Sequence, residues 1–105
     1  MREKTLIPLF GNEVAPRFDL ATEVLVISLD RNSGEREEKM LVLPQTSSEE
    51  LCHLALTEGI QTVICGGIEE EYYHYLTWKK IKVFDSVMGP WKKAYDDYRQ
   101  GLLSV

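Results

Sequence analysis

No stretch of this 105-residue chain approaches the ~20 consecutive apolar residues that a membrane helix needs. Val24–Ile27 and the interrupted run from Ile60 to Ile64 are far shorter, so no membrane partner is expected. The opening Met1-Arg2-Glu3-Lys4-Thr5 leads straight into an apolar strand pattern without the longer apolar core of a signal peptide, so a cytoplasmic location is expected. Cysteine is scarce. Cys52 and Cys65 match neither a zinc spacing nor a CxxC redox motif, and in a reducing compartment the two are expected to be thiols.

Catalytic equipment is equally thin. The sequence contains no GxSxG, no phosphate-binding P-loop, no HExxH and no GxGxxG. Its two histidines, His53 and His74, have no sequence neighbours that would build a general base or a metal site. Glu37-Glu38 and Glu69-Glu70-Glu71 read as solvated faces rather than a paired acid and base, and the apolar strands lack the inward carboxylates of a metal nuclease. The expectation is a binding protein and not an enzyme.

Basic residues are also in the minority, with a net charge of −5, which argues against nucleic acid as a general partner. The charge is uneven. Residues 1–78 carry 6 basic and 14 acidic side chains, whereas residues 79–105 carry 6 basic and 3 acidic. Lys79, Lys80, Lys82, Lys92 and Lys93 form either a local basic face or an ordinary solvated lysine surface.

What is present fits one domain over residues 1–105, with 44% hydrophobic residues to build a core. Thr5–Phe10 predicts a first strand in which Pro8 asks for an edge or a bulge. Glu23–Leu29 and Glu35 to about Leu43 predict two more, joined by the turn cluster Asp30–Gly34, and the three form an antiparallel meander. Ser47-Ser48-Glu49-Glu50 is a capping-box pattern opening a helix that Gly59 ends. If Leu51, Leu54 and Ala55 face the core, Cys52 and His53 lie at the edge of that face or outside it.

Ile60–Cys65 predicts a fourth strand, Ile68, Tyr72, Tyr75 and Leu76 one face of a second helix, and Ile81–Phe84 a fifth strand. Pro90 suits the first turn of a last helix whose buried stripe is Trp91, Ala94, Tyr95, Tyr98 and Leu102. The order βββαβαβα points to an α/β fold with one mixed sheet and helices on its faces. Ligands of such sheets collect beyond the carboxyl ends of strands, which directs attention to the segments after the first and fourth strands.

The first of these, Gly11–Asp19, sets Arg17, Phe18 and Asp19 side by side after a Gly-Asn turn; Arg17 either grips an anion, pairs with Asp19 or caps a strand end. The second, Ile64-Cys65-Gly66-Gly67-Ile68, joins a strand to a helix. Its glycines let the backbone approach a ligand, and its position at a helix start lowers a thiol pKa, which makes Cys65 a soft metal ligand; the alternative is an inert core thiol beneath a Gly-Gly turn. Met40 and Met88 are either core filler or thioether donors.

Taken together, Ile7-Pro8, Val14-Ala15-Pro16-Arg17-Phe18-Asp19 with Ala21, Gly34, Ile64-Cys65-Gly66-Gly67-Ile68, Ile81 with Val83, Gly89, and Tyr98 followed by Gly101-Leu102 resemble the dinitrogenase iron-molybdenum cofactor biosynthesis family. That resemblance implies a ribonuclease H-like fold with a five-stranded mixed sheet in the order 3-2-1-4-5 and three helices. It also implies a carrier or assembly accessory for an iron-sulfur or molybdenum-iron type cluster, whose partners are cofactor donor and acceptor proteins. Cys65 would be the metal ligand, with Asn12, Arg17, Phe18, Asp19, Gly66 and Gly67 around the cofactor. The chain departs from the family at Trp78-Lys79-Lys80, where glycine is common, and no Cys- or His-rich tail is expected after Val105. One thiolate does not complete the usual four-ligand set, so the cluster would bring its own ligands, share a homodimer's second protomer, or recruit His and Met. The competing reading is a regulatory or protein-interaction module without metal on the same fold.

Overall fold

Alternation of apolar side chains divides the core in two. In the computed structural model, which describes residues 2–103, Leu6, Val24, Val26, Val63 and Val83 point to one face of a central sheet. Their neighbours Ile7, Leu25, Ile27, Ile64 and Phe84 point to the other. Both faces are covered, and each fully buried aliphatic side chain contributes ~1.5–3 kcal/mol.

The elements are β1 (Arg2–Phe10), β2 (Glu13–Val14), β3 (Glu23–Asp30), β4 (Arg36–Val42), α1 (Ser48–Thr57), β5 (Thr62–Ile64), α2 (Glu70–Trp78), β6 (Lys82–Phe84) and α3 (Trp91–Arg99), with a 3-10 turn at Phe18–Leu20. The long path through the sheet is β4-β3-β1-β5-β6, and β2 pairs with β1 off that path. β1, β3 and β4 are antiparallel as expected for the meander, while β5 and β6 run parallel to β1 after helical crossovers. Residues of α1 and α2 pack on the Leu6 face and those of α3 on the Ile7 face, giving an α/β/α arrangement of three layers.

The sheet has six strands where five are expected. The added one arises because Gly11, at φ 63, turns the chain back so that Leu9 meets Val14 and Phe10 meets Glu13. Pro8 needs neither an edge nor a bulge. Its carbonyl accepts the Ala15 N–H at 2.8 Å, on the side away from β3, so its missing N–H removes nothing from the β1–β3 ladder.

Ser47 caps α1 as its sequence predicts, its hydroxyl accepting the Glu50 N–H at 3.2 Å. Cys52 is not at the edge of the buried face but inside it, because α2 covers that flank of α1. Ile68 precedes α2 instead of belonging to it, and Tyr75 is partly exposed, which leaves Leu76 as the buried residue of that helix. Pro90 is the residue before α3 and not within its first turn, and Leu102 lies beyond the helix, exposed, after the turn at Gly101. The edge strand β4 is protected from further pairing by its exposed charges Arg36, Glu37, Glu38 and Lys39. No helix among the described residues is long and apolar enough to cross a membrane.

Candidate functional site

Three segments meet beyond the carboxyl ends of β1, β5 and β6: residues 11–22, 65–69 and 85–90. Backbone hydrogen bonds stitch them together. Gly67 donates its N–H to Pro16 O and accepts the Phe18 N–H, both at 2.7 Å, forming a parallel bridge between Arg17 and Gly67. Val14 N–H donates to Gly89 O at 2.9 Å and Trp91 N–H to Asn12 O at 3.0 Å, tying the first segment to the third. Ser86 and Val87 donate to the carbonyls of Gly66 and Cys65 at 3.0 Å, which ties the second to the third. A scaffold with this many paired amides holds its side chains in fixed directions.

The glycine pair is explained by that scaffold. A Cβ on Gly66 would stand 2.4 Å from Ala15 O and 2.5 Å from Pro16 O, so only glycine allows the two backbones to approach. On Gly67 the nearest atom, Pro16 O, would be 3.4 Å away. The close approach is thus made by the chain to itself. Nor do the glycines open a helix: α2 begins at Glu70, and Glu69, Glu70 and Glu71 crowd its start, where their carboxylates suit the helix dipole and repel an anion.

The sequence-predicted site residues separate accordingly. Cys65 is wholly buried in the core cluster with Phe18, Cys52 and Leu76, and its pKa is pushed up to about 12, by burial first and by the Asp85 charge second. The expected lowering of its pKa at a helix start is not found, because desolvation dominates and the helix begins five residues later. Phe18 is likewise core. Cys52 is pushed up to about 11 by burial and by Glu49. Asn12, Arg17 and Gly67 are exposed and Gly66 is buried. Arg17 forks onto Asp19, its Nε donating to Oδ1 at 3.0 Å and Nη2 to Oδ2 at 2.7 Å, while Nη1 has no partner among the described residues.

Beside Arg17 lies a groove of about 450 Å³ whose apolar walls are Leu9, Phe10, Ala15, Pro16, Leu20 and Ala21, with Thr22 and Glu23 also in its lining. Phe10 and Leu20 stand 74% and 57% exposed at its margin, a large apolar investment left in water. Phe10 and Leu20 escape sequence reasoning because a strand's last residue and a turn residue carry no periodic signal; the Gly11 directly after Phe10 is the one hint that the strand ends there.

A smaller cavity of about 340 Å³ between α1 and α2 brings Cys52 and His53 together with Glu49, Glu71, Tyr72 and Tyr75. The described residues contain no group of three or more His, Cys, Asp or Glu side chains that could hold a metal ion. His74 is on the surface with Glu70 at 3.3 Å. Met88 and Met40 are exposed, in the loop after β6 and on β4. The lysines do not make one face. Lys79 rests over the Trp78 ring at 4.6 Å and, with Lys80 and Lys82, lies at the amino end of β6, while Lys92 and Lys93 open α3 beyond its carboxyl end.

Fold and groove define a small three-layer α/β domain with an exposed apolar groove at the carboxyl end of its central strand. No family model and no curated protein matches the chain. Among solved structures it is similar to PH0822, at 16% identity and a TM-score of 0.84 over 97% of this chain and 93% of that one. It is similar to a proposed dinitrogenase from Methanocaldococcus jannaschii, at 21% identity and a TM-score of 0.78 over 99% and 94%. The apo form of the orange protein from Desulfovibrio gigas is similar at 16% identity and a TM-score of 0.74 over 98% and 92%. These likenesses establish the fold.

Proposed function

We propose that the protein carries a preformed metal-sulfur cluster, of iron-sulfur or molybdenum-containing type, holding it in the groove beside Arg17 without transforming it. The same reading assigns the chain to the ribonuclease H-like βββαβαβα group and to the nitrogenase-cofactor-related proteins, and gives it cofactor donor and acceptor proteins as partners. The observation that carries it is the groove itself, with apolar walls and one unengaged guanidinium edge. A metal-sulfur cluster is a large, polarisable anion, and a weakly hydrated guanidinium on an apolar surface suits such an ion better than an ammonium does. The orange protein supports the reading in one respect: a protein with an apo form takes up a further group.

The donor set limits how the cargo is held. A buried thiol with its pKa near 12 is protonated at neutral pH and is not presented to the groove, so Cys65 does not fit the role of ligand. The cargo would bring its own sulfide ligands and be gripped by charge and shape. The test is anaerobic incubation with tetrathiomolybdate and, separately, with iron and sulfide, followed by gel filtration, visible absorption and metal analysis. Stoichiometric colour and metal in the protein peak are expected.

A second reading, a protein-interaction module without metal, draws on the exposure of Phe10 and Leu20. Colourless, metal-free protein that assembles with rising concentration would favour it.

A further inference from the structure

At the other end of the sheet, about 20 Å from the groove along β1, lies a cavity of about 520 Å³. It is an open hollow bordered by the start of β1, the end of β3 and the turn after it, β6, and the end of α3 with the segment that follows. We propose that this cavity is a second binding site, for a small organic phosphate.

Its anionic side chains already have partners. Glu3 accepts from Arg31 Nε at 2.9 Å and from the Tyr98 hydroxyl at 2.9 Å, and that hydroxyl also meets Thr62 Oγ1 at 3.1 Å. Asp30 accepts the backbone N–H groups of Asn32 and Ser33, which hold its carboxyl below the usual range. Its cations do not all have partners: Lys82 and Arg99 border the cavity and form no ion pair among the described residues. Two unengaged cations match a dianion, which a phosphate monoester is at neutral pH.

The rest of the wall gives the site its second half. Tyr98 is half-buried at the wall, edge to face with the buried Phe84 at 5.5 Å, and offers an aromatic ring that a ligand's planar ring can meet. The fixed Thr62–Tyr98–Glu3–Arg31 chain anchors one wall, so the cavity is built from ordered groups and not from free surface side chains alone. Arg99 also offsets the partial negative charge at the end of α3. Neither the groove nor its cargo enters this argument, so the two sites stand or fall separately.

The experiment is an NMR titration of the full chain with adenosine 5′-monophosphate, with adenosine and inorganic phosphate as controls. Saturable amide shifts confined to Gly34, Lys82, Arg99 and their neighbours are expected with the monophosphate, with weaker binding of inorganic phosphate and none of adenosine. Lys82→Ala with Arg99→Ala should weaken binding about tenfold or more while the melting temperature stays close to wild type. The proposal is overturned by an absence of saturable shifts, by equal shifts with adenosine, by shifts spread evenly over Lys79, Lys80, Lys92 and Lys93, or by a double variant that binds like wild type.

Discussion

Two of the three segments that meet beyond β1 contribute different things. Residues 11–22 present side chains: Phe10 before them, then Pro16, Arg17 and Leu20, all reach the groove. Residues 65–68 contribute backbone: their carbonyls and one amide bind the neighbouring loops, Gly66 lies against Ala15 and Pro16, and the Cys65 thiol turns into the core. A glycine pair after a strand therefore has two physical explanations, a ligand close by or another stretch of chain close by. Here the distances decide for the chain.

That contrast is sharpest at the glycines themselves. Gly66→Ala should lose about 3 kcal/mol or more, because the clashing atoms are backbone oxygens that cannot swing away. Gly67→Ala should stay within about 1 kcal/mol of wild type. Urea unfolding of both variants measures the gap, and equal losses would erase the distinction between the two positions.

A smaller effect is expected from alkaline pH. Both thiols have folded pKa values above the ordinary 9.0, about 11 for Cys52 and about 12 for Cys65, so the fold favours their neutral forms. This contribution is fully present below pH ~9 and is lost as pH rises through the folded values. Stability should therefore fall with a steepening slope between pH 9 and 11 in the wild type, and less steeply in Cys65→Ala, as read from urea midpoints. In the wild type at pH 8, Cys65 is buried and held protonated, so a thiol reagent such as Ellman's should label it only through opening of the fold.

The smallest effect on stability belongs to the groove side. Arg17→Gln removes an exposed ion pair with Asp19 and should shift stability by no more than about 0.5 kcal/mol. Its expected effect is on cargo, which is where the two segments should differ most.

Much of this arrangement is readable in the chain. The alternation through Leu6, Ile7, Val24–Ile27 and Val63–Ile64 marks strands buried on both faces, and Ser47 marks the start of α1 by a local hydrogen bond. The misplaced features depend on partners distant in sequence. Cys52 is inside because α2 packs on α1, Gly66 is required because of residues 15 and 16, and Phe18 points inward from a short 3-10 turn with no periodicity to announce it. The segments of the candidate site were identifiable from composition; which atoms of each face solvent was not, because that is decided by the loops crossing one another.

The central claim is that the cargo is gripped by the groove and not ligated by Cys65. Its most direct test is anaerobic loading with iron, sulfide and molybdate of wild type, Arg17→Gln and Cys65→Ala in parallel, with metal per chain read after gel filtration. The account predicts full metal content in Cys65→Ala and a large loss in Arg17→Gln. Metal lost from Cys65→Ala and retained in Arg17→Gln would contradict it.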